Sequence, residues 1–274
     1  ENSSLEYFEK IVKICNEKNI QLILVKTPAH TFTQERHNAV ETYAKEHNLP
    51  FYDFNTEELY DETGFIYDSS DMNNTGSNPH LNTSGARKLS VYLAKEIVKN
   101  GWATGQEDEQ WEVSKAFNDG LYKDFELKHT DDVLSYLGML KDDRYTVMLS
   151  VKDEASSGLT EEIKEALRNL GLTEDWQNAY RKSYLALIDR GEVSYEELSS
   201  KKLDFKDSFR AGVMRLSMTS AGYTVGNQSS IKINEKEQSK NMRGINIVVY
   251  SNDRKCVIDS VNFDTFEENC TCHR

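Results

Sequence analysis

Tyr145-Thr146-Val147-Met148-Leu149-Ser150-Val151 sets Tyr145, Val147, Leu149 and Val151 on one face, the period of two that marks a strand lying on a core. Upstream, Val133, Tyr136, Leu137 and Leu140 recur at helical spacing. Downstream, Thr160 caps a helix with Glu161 and Glu162 in its first turn. That helix turns Ile163, Ala166, Leu167 and Leu170 to one side, and Gly171 ends it. Farther on, Ile245, Ile247 and Val249 alternate, Ser251-Asn252-Asp253-Arg254 turns the chain, and Val257, Val261 and Phe263 complete a hairpin. This reads as a mixed-sheet α+β domain over 130–268.

The first part of the chain has a different rhythm. Leu5, Phe8, Ile11, Val12 and Cys15 follow helical spacing, with Cys15 expected as a buried thiol. The continuous apolar run Ile20–Val25 is the mark of a strand buried on both faces, and Pro28 stops it. A helix through Val40, Tyr43 and Ala44 leads to Pro50 and a second strand, Phe51–Phe54. After a polar loop, Leu89, Leu93 and Ile97 define a helix with candidate caps at Asn82 to Ser84. The order is that of half an α/β doubly wound fold, over residues 1–104. Residues 105–129 carry no firm period and read as a connection, and 269–274 read as a tail.

The 274 residues carry 46 acidic against 33 basic side chains, a formal charge of −13 spread along the chain. That balance argues against a nucleic-acid partner, because phosphate binding is driven by Lys and Arg. No stretch approaches the roughly 18 apolar residues of a membrane span, so no membrane insertion is expected. The four cysteines are too few for a disulfide scaffold. A tail disulfide to Cys256 is one option for an exported chain, and the Cys270-Thr271-Cys272-His273 string is one ligand short of a metal site. No metal or cofactor is called for.

His80, in a loop before a helix with Asp68 and Asp71 upstream, has the parts of a base and its orienting acid. A metal-dependent hydrolase built on His80, Asp68 and Asp71 would lack a second histidine. The strings Lys26-Thr27-Pro28, Arg36-His37-Asn38, Asp53-Phe54-Asn55 and His80-Leu81-Asn82-x-x-Gly85-Ala86-x-Lys88 resemble the C-terminal part of SGNH/GDSL-type hydrolases. The likeness is to exported bacterial members, the DltD and polysaccharide O-acetylation groups. It implies a flavodoxin-like three-layer fold, acyl transfer on glycans by a Ser, His and Asp triad, and an extracellular site of action. Only the histidine carries over cleanly, to His80. The aspartate usual three residues before it is Ser77 here, which leaves Asp71 or Asp68. Neither the Gly-Asp-Ser nucleophile turn nor the oxyanion donors occur, so this stretch alone is expected to be inactive. Either the rest of such a unit lies outside the sequence or the domain is degenerate.

Ser150-Val151-Lys152-Asp153-Glu154-Ala155-Ser156, Arg243-Gly244-Ile245-Asn246-Ile247-Val248-Val249-Tyr250 and Val261-Asn262-Phe263-Asp264-Thr265 together resemble the interleukin-like EMT inducer (ILEI)/PANDER domain. That domain also forms the stem of protein O-mannose N-acetylglucosaminyltransferase. In the family the RGI and FDT strings precede KDEAS; here they follow it, as in a circular permutation with new ends near residue 131. The resemblance implies sugar binding by Asp153, Arg181 and Arg243, with Trp176 or Tyr184 covering a sugar face. The expected partner is a cell-surface polysaccharide or N-acetylated glycan. The competing expectation is a non-catalytic interaction or scaffold protein.

Overall fold

A computed structural model describes residues 3–29, 33–76, 79–103, 105, 108–209 and 214–274. The chain divides into two compact units, Glu1–Tyr122 and Lys123–Arg274.

In the first unit α1 (Ser3–Glu17), β1 (Leu24–Lys26), α2 (Gln34–Glu46) and β2 (Phe51–Asp53) follow in order. α3 (Glu57–Thr63), β3 (Met72–Asn74), β4 (His80–Leu81) and α4 (Thr83–Lys99) come next, and α5 (Glu109–Lys128) crosses into the second unit. The strands β1 and β2 are parallel, with Leu24 opposite Phe51 and Lys26 opposite Asp53. The apolar run therefore becomes a strand only at its end, and Ile20 is exposed. The described residues give a two-stranded parallel sheet and a small β3–β4 ladder, which is less than the three-layer sandwich. Phe54, Leu59, Phe65, Met72 and Leu89 form the core. Buried side chains of this size contribute about 1.5–3 kcal/mol each. Asn82 caps α4 as its sequence position suggests, accepting from the Gly85 N–H at 3.0 Å. Cys15 is half-buried rather than buried, because Val12 takes the inward position on α1.

Residues 109–128, expected as a connection, form α5. Its start, through Asn118, is solvent-exposed and includes Trp111, Val113 and Phe117, which is why no inward stripe is legible there. In the second unit the end of α5 is tied down by the buried Asp124 carboxylate. It accepts from the Tyr145 hydroxyl at 2.8 Å and from Arg254 at 3.1 Å.

The second unit continues with α6 (Val133–Met139), β5 (Tyr145–Asp153), α7 (Glu161–Asn169), β6 (Ser183–Asp189) and β7 (Glu192–Ser199). Next come β8 (Leu203–Phe209), β9 (Met214–Gly222), β10 (Gln228–Ile233), β11 (Lys236–Glu237), β12 (Gly244–Ser251), β13 (Cys256–Asp264) and β14 (Thr271–His273). All ten strands join one curled sheet. The strand β5 lies between β12 and β6, antiparallel to both, and its last two residues pair in parallel with Ala221 and Gly222 of β9. That junction lets the β8–β11 ribbon fold back as a second layer. Alternate side chains serve two cores. Val147, Leu149 and Val151 face α6 and α7, together with Ala186 and Ile247. Met148, Leu185, Leu187 and Val248 face Met214, Leu216, Met218 and Ile231 of the ribbon. The fold is thus α+β with a mixed sheet.

The residues expected as a tail supply β14, an edge strand on β13 that sets Cys272 opposite Phe263. The four cysteines are free thiols. Register forbids a bridge from Cys272 to Cys256, since seven residues of strand between Cys256 and Phe263 span about 23 Å and a disulfide needs Cα atoms within about 7 Å.

Candidate functional site

Three of the sequence-derived residues lie at one end of the sheet, where β5, β9 and β12 finish or begin. Asp153 is the last residue of β5, directly opposite Gly222. The backbone carbonyl of Arg181 passes so close to Gly222 that a Cβ there would stand 2.1 Å from the carbonyl oxygen. Arg181 therefore needs glycine at 222 to sit beside Asp153. On the other side, the antiparallel β5–β12 ladder ends at Lys152 and Gly244, so Arg243 follows in register opposite Asp153. Gly244 has φ +95°, and a Cβ would meet the Phe263 carbonyl at 2.2 Å. Adjacent strands are about 4.8 Å apart, so Gly222 and the position of Arg243 each stand about one strand spacing from Asp153.

The loop carrying Asp153 is fixed from within and from behind. Glu154 is buried and accepts from the Ser156 amide at 2.5 Å and hydroxyl at 2.7 Å. Thr265 donates its hydroxyl to the Ala155 carbonyl at 2.7 Å, and its own carbonyl accepts from the Gly158 amide at 2.8 Å. Of the two neighbouring acids, Glu154 is spent on the loop.

The three candidate ligands differ in what remains free. The half-buried Asp153 carboxylate has no hydrogen-bond or ion-pair partner among the described residues. Arg181 lies over the rings of Tyr223, 4.3 Å from its centroid, and Tyr180, at 5.1 Å, and its N–H groups likewise have no partner there. Arg243 is mostly engaged. Its Nε and Nη2 grip Asp264 at 2.7–3.1 Å and Nη2 reaches Glu267 at 2.9 Å, while the guanidinium covers Phe266 at 4.4 Å. The carboxylate of Asp264 is the main reason its pKa rises above the ordinary guanidinium value. Only Nη1 of Arg243 keeps unspent donors.

Backbone strain marks the same place. Asp153 has φ 64° and Arg181 φ 56°, in the left-handed region. Arg190, Asn234, Glu235 and Lys255 share that region inside hairpin turns, but Asp153 and Arg181 lie outside any hairpin. Such conformations cost on the order of 1–2 kcal/mol and persist where surrounding structure enforces them.

Trp176 and Tyr184 do not reach this site. They are 7% and 0% exposed, 4.5 Å apart in the core, and the Tyr184 hydroxyl donates to Glu196 at 2.8 Å. Besides Phe266 under Arg243, the exposed aromatics at the site are Tyr180 and Tyr223, 58% and 51% accessible. Neither shows in the sequence, because the turn that carries Tyr223 to Arg181 depends on the β5–β9 junction.

In the first unit, His80 and Asp71 are not brought together. Asp71 is wholly buried under α4 and accepts from the Ile66 amide, the Ser84 hydroxyl and the Lys88 ammonium, each at 2.7 Å. His80 is exposed on the short β4 strand, and its imidazole has no hydrogen-bond partner among the described residues. Asp68 is exposed, and the Ser70 amide at 2.7 Å holds its carboxyl below the usual range. Ser77 lies outside the described residues. A different pair does meet. His37 Nδ1 lies 2.7 Å from the buried Asp53 carboxylate at the carboxyl end of the parallel strands, and the Asn55 amide and side chain bind the other oxygen at 3.0 and 2.7 Å. Both residues stand in the quoted strings, but their pairing across α2 and β2 is a tertiary contact. Among the described residues, no group of three or more His, Cys, Asp or Glu side chains is arranged to hold a metal ion. No helix there is long and apolar enough to cross a membrane.

The family model of the interleukin-like EMT inducer matches residues 114–192, from within α5 to the start of β7. The match includes Asp153 and Arg181; Arg243 and the β12–β13 hairpin fall outside it. No curated protein and no solved structure matches the chain significantly.

Proposed function

We propose that the second unit, which carries the interleukin-like EMT inducer domain, binds a neutral glycan, N-acetylated in the first instance, through Asp153, Arg181 and Nη1 of Arg243. The observation that carries this reading is the placement of two oppositely charged residues, each with unspent hydrogen-bonding capacity and each on strained backbone, on either side of Gly222 at one sheet end. A carboxylate accepts from hydroxyls, and a guanidinium donates in a fixed plane to hydroxyl or acetamido oxygens. The resemblance over the strings around these residues points the same way.

The permuted order of those strings also has structural support. The β12 and β13 strands lie outside the matched residues, yet β12 pairs with β5 along its length. Arg274 donates to the Leu127 and Thr130 carbonyls at 3.1 and 2.6 Å and pairs with Asp131 at 3.1 Å. The segment after FDT thus packs against the turn before α6, so the two strings could be joined there in the order the resemblance implies.

In this reading the first unit is the C-terminal part of an SGNH-type acyl-esterase or O-acyltransferase with His80 as its base, and the protein works outside the cell at the surface. Tethering a glycan-binding unit to such an enzyme raises the local concentration of substrate. The engagement of Asp71 by Lys88 and Ser84 favours the second reading, a non-catalytic scaffold whose triad has decayed. A strand followed by Gly-Asp-Ser in the gene upstream of Glu1 would decide for the enzyme.

Glycan-array binding followed by calorimetric titration with a β-linked N-acetylglucosamine disaccharide tests the glycan reading. The Asp153→Asn variant is expected to lose binding at least tenfold with its melting temperature unchanged. Wild-type protein that binds no glycan on the array overturns the proposal.

A further inference from the structure

We infer that Tyr180 and Tyr223 are positioning residues of the glycan site, forming an aromatic clamp that holds Arg181 apart from Asp153 so that a neutral pyranose enters between them. This rests on the glycan reading above and adds to it the device that keeps the site open and sets the charge of its ligand.

An arginine flanking an aspartate across a single glycine ordinarily closes an ion pair, and a site that closes on itself binds nothing. Here the pair does not form. The guanidinium of Arg181 lies over the Tyr223 ring and against that of Tyr180, 4.3 and 5.1 Å from the centroids. Each exposed cation–π contact is worth about 0.5–1 kcal/mol, and an exposed ion pair about 0–1 kcal/mol, so two rings outweigh the lost pair. The backbone works in the same direction. Arg181 has a left-handed φ of 56°, and its carbonyl lies against Gly222, the residue directly before Tyr223.

A guanidinium held over aromatic rings by cation–π contact still has its N–H donors for acceptors lying in its plane. A ligand that reaches both the Arg181 N–H groups and the Asp153 carboxylate must accept and donate at once. Vicinal hydroxyls and the acetamido group do so. A uronate carboxylate accepts only, and it would face Asp153, with Asp264 and Glu267 already balancing Arg243. The site is therefore matched to uncharged sugars.

The test uses the full chain and two probes, the β-linked N-acetylglucosamine disaccharide and a disaccharide of N-acetylglucosamine with glucuronate. Tyr180→Leu/Tyr223→Leu is expected to weaken the neutral probe tenfold or more, whereas Tyr180→Phe/Tyr223→Phe, which keeps both rings, stays within about twofold of wild type. Melting temperatures are expected to be level across the set, because both tyrosines are exposed. The Arg181 Nε–H resonance, shifted upfield by the rings in wild type and the Phe variant, is expected to return to its ordinary position in the Leu variant. If wild type binds the neutral probe and Asp153→Asn abolishes binding while the Leu variant binds as wild type does, the clamp is refuted and the glycan reading survives. An acidic probe bound as tightly as the neutral one overturns the charge selection. Wild-type protein that binds neither probe removes the clamp together with the site.

Discussion

Thr265→Val isolates one hydrogen bond behind the proposed glycan site. Thr265 is fully buried, and its hydroxyl donates to the Ala155 carbonyl at 2.7 Å, two residues beyond Asp153. Valine keeps the shape and leaves that carbonyl buried without its donor. An unsatisfied buried acceptor costs about 1–3 kcal/mol. For a unit of about 150 residues, each kcal/mol lowers the midpoint by about 2–4 °C, so the second unit is expected to melt about 2–12 °C lower. Differential scanning calorimetry on the intact chain reads this, with the first unit's transition as internal reference. Thr265→Ser retains the donor and loses one methyl, about 0.8 kcal/mol, so it is expected to fall between wild type and valine. The loop holding Asp153 loosens with it, and glycan affinity is expected to drop in the same order. Equal midpoints for valine and wild type, or a serine variant worse than valine, would show that the hydroxyl does not hold the loop.

Asp71→Ala leaves the Ile66 amide and the Ser84 hydroxyl without their acceptor and should cost the first unit about 1–3 kcal/mol, visible as a lowered transition while that of the second unit stays put; two unchanged transitions would remove the case for a structural Asp71. The Cys272 thiol is pushed up to about 11, chiefly by burial, so thiolate is on the order of a thousandth of the total at pH 8. Alkylation followed by mass spectrometry is expected to label it about tenfold faster per pH unit up to that value, and rapid labelling at pH 7.5 refutes the burial. The linkage runs the same way. A thiol at 9.0 in the unfolded chain and about 11 in the folded one makes folding progressively less favourable as pH rises from 9 to 11.

Much of the second unit was legible because its sheet alternates so regularly. Tyr145 to Val151 and Ile245 to Val249 carry the period of two, and Thr160 and Asn82 do cap helices. The remainder is explained by where side chains end up. Glu192-Val193-Ser194-Tyr195-Glu196-Glu197-Leu198-Ser199 does not read as a strand, because Glu196 sits among the apolar positions. It holds the Tyr184 hydroxyl and the Thr173 and Glu174 amides. Within α5, Trp111, Val113 and Phe117 face water, so the apolar residues mark no buried side. Trp176 misleads for the opposite reason: a tryptophan in a loop suggests a sugar platform, and here it fills the core beside Tyr184. At the candidate site, sequence supplies Asp153, Arg181 and Arg243 through resemblance. The partners that decide which of them is free, Asp264, Glu267, Tyr180 and Tyr223, come from a parallel junction that no local pattern announces.

The central strand β5 feeds two cores at once, odd positions toward α6 and α7 and Met148 toward the β8–β11 ribbon. An in-frame gain or loss of one codon within it would exchange the two sets, emptying both interiors together. The Arg190-Gly191 hairpin tip, by contrast, has room for extra residues. Natural length variation in this protein should therefore gather at such tips and spare β5.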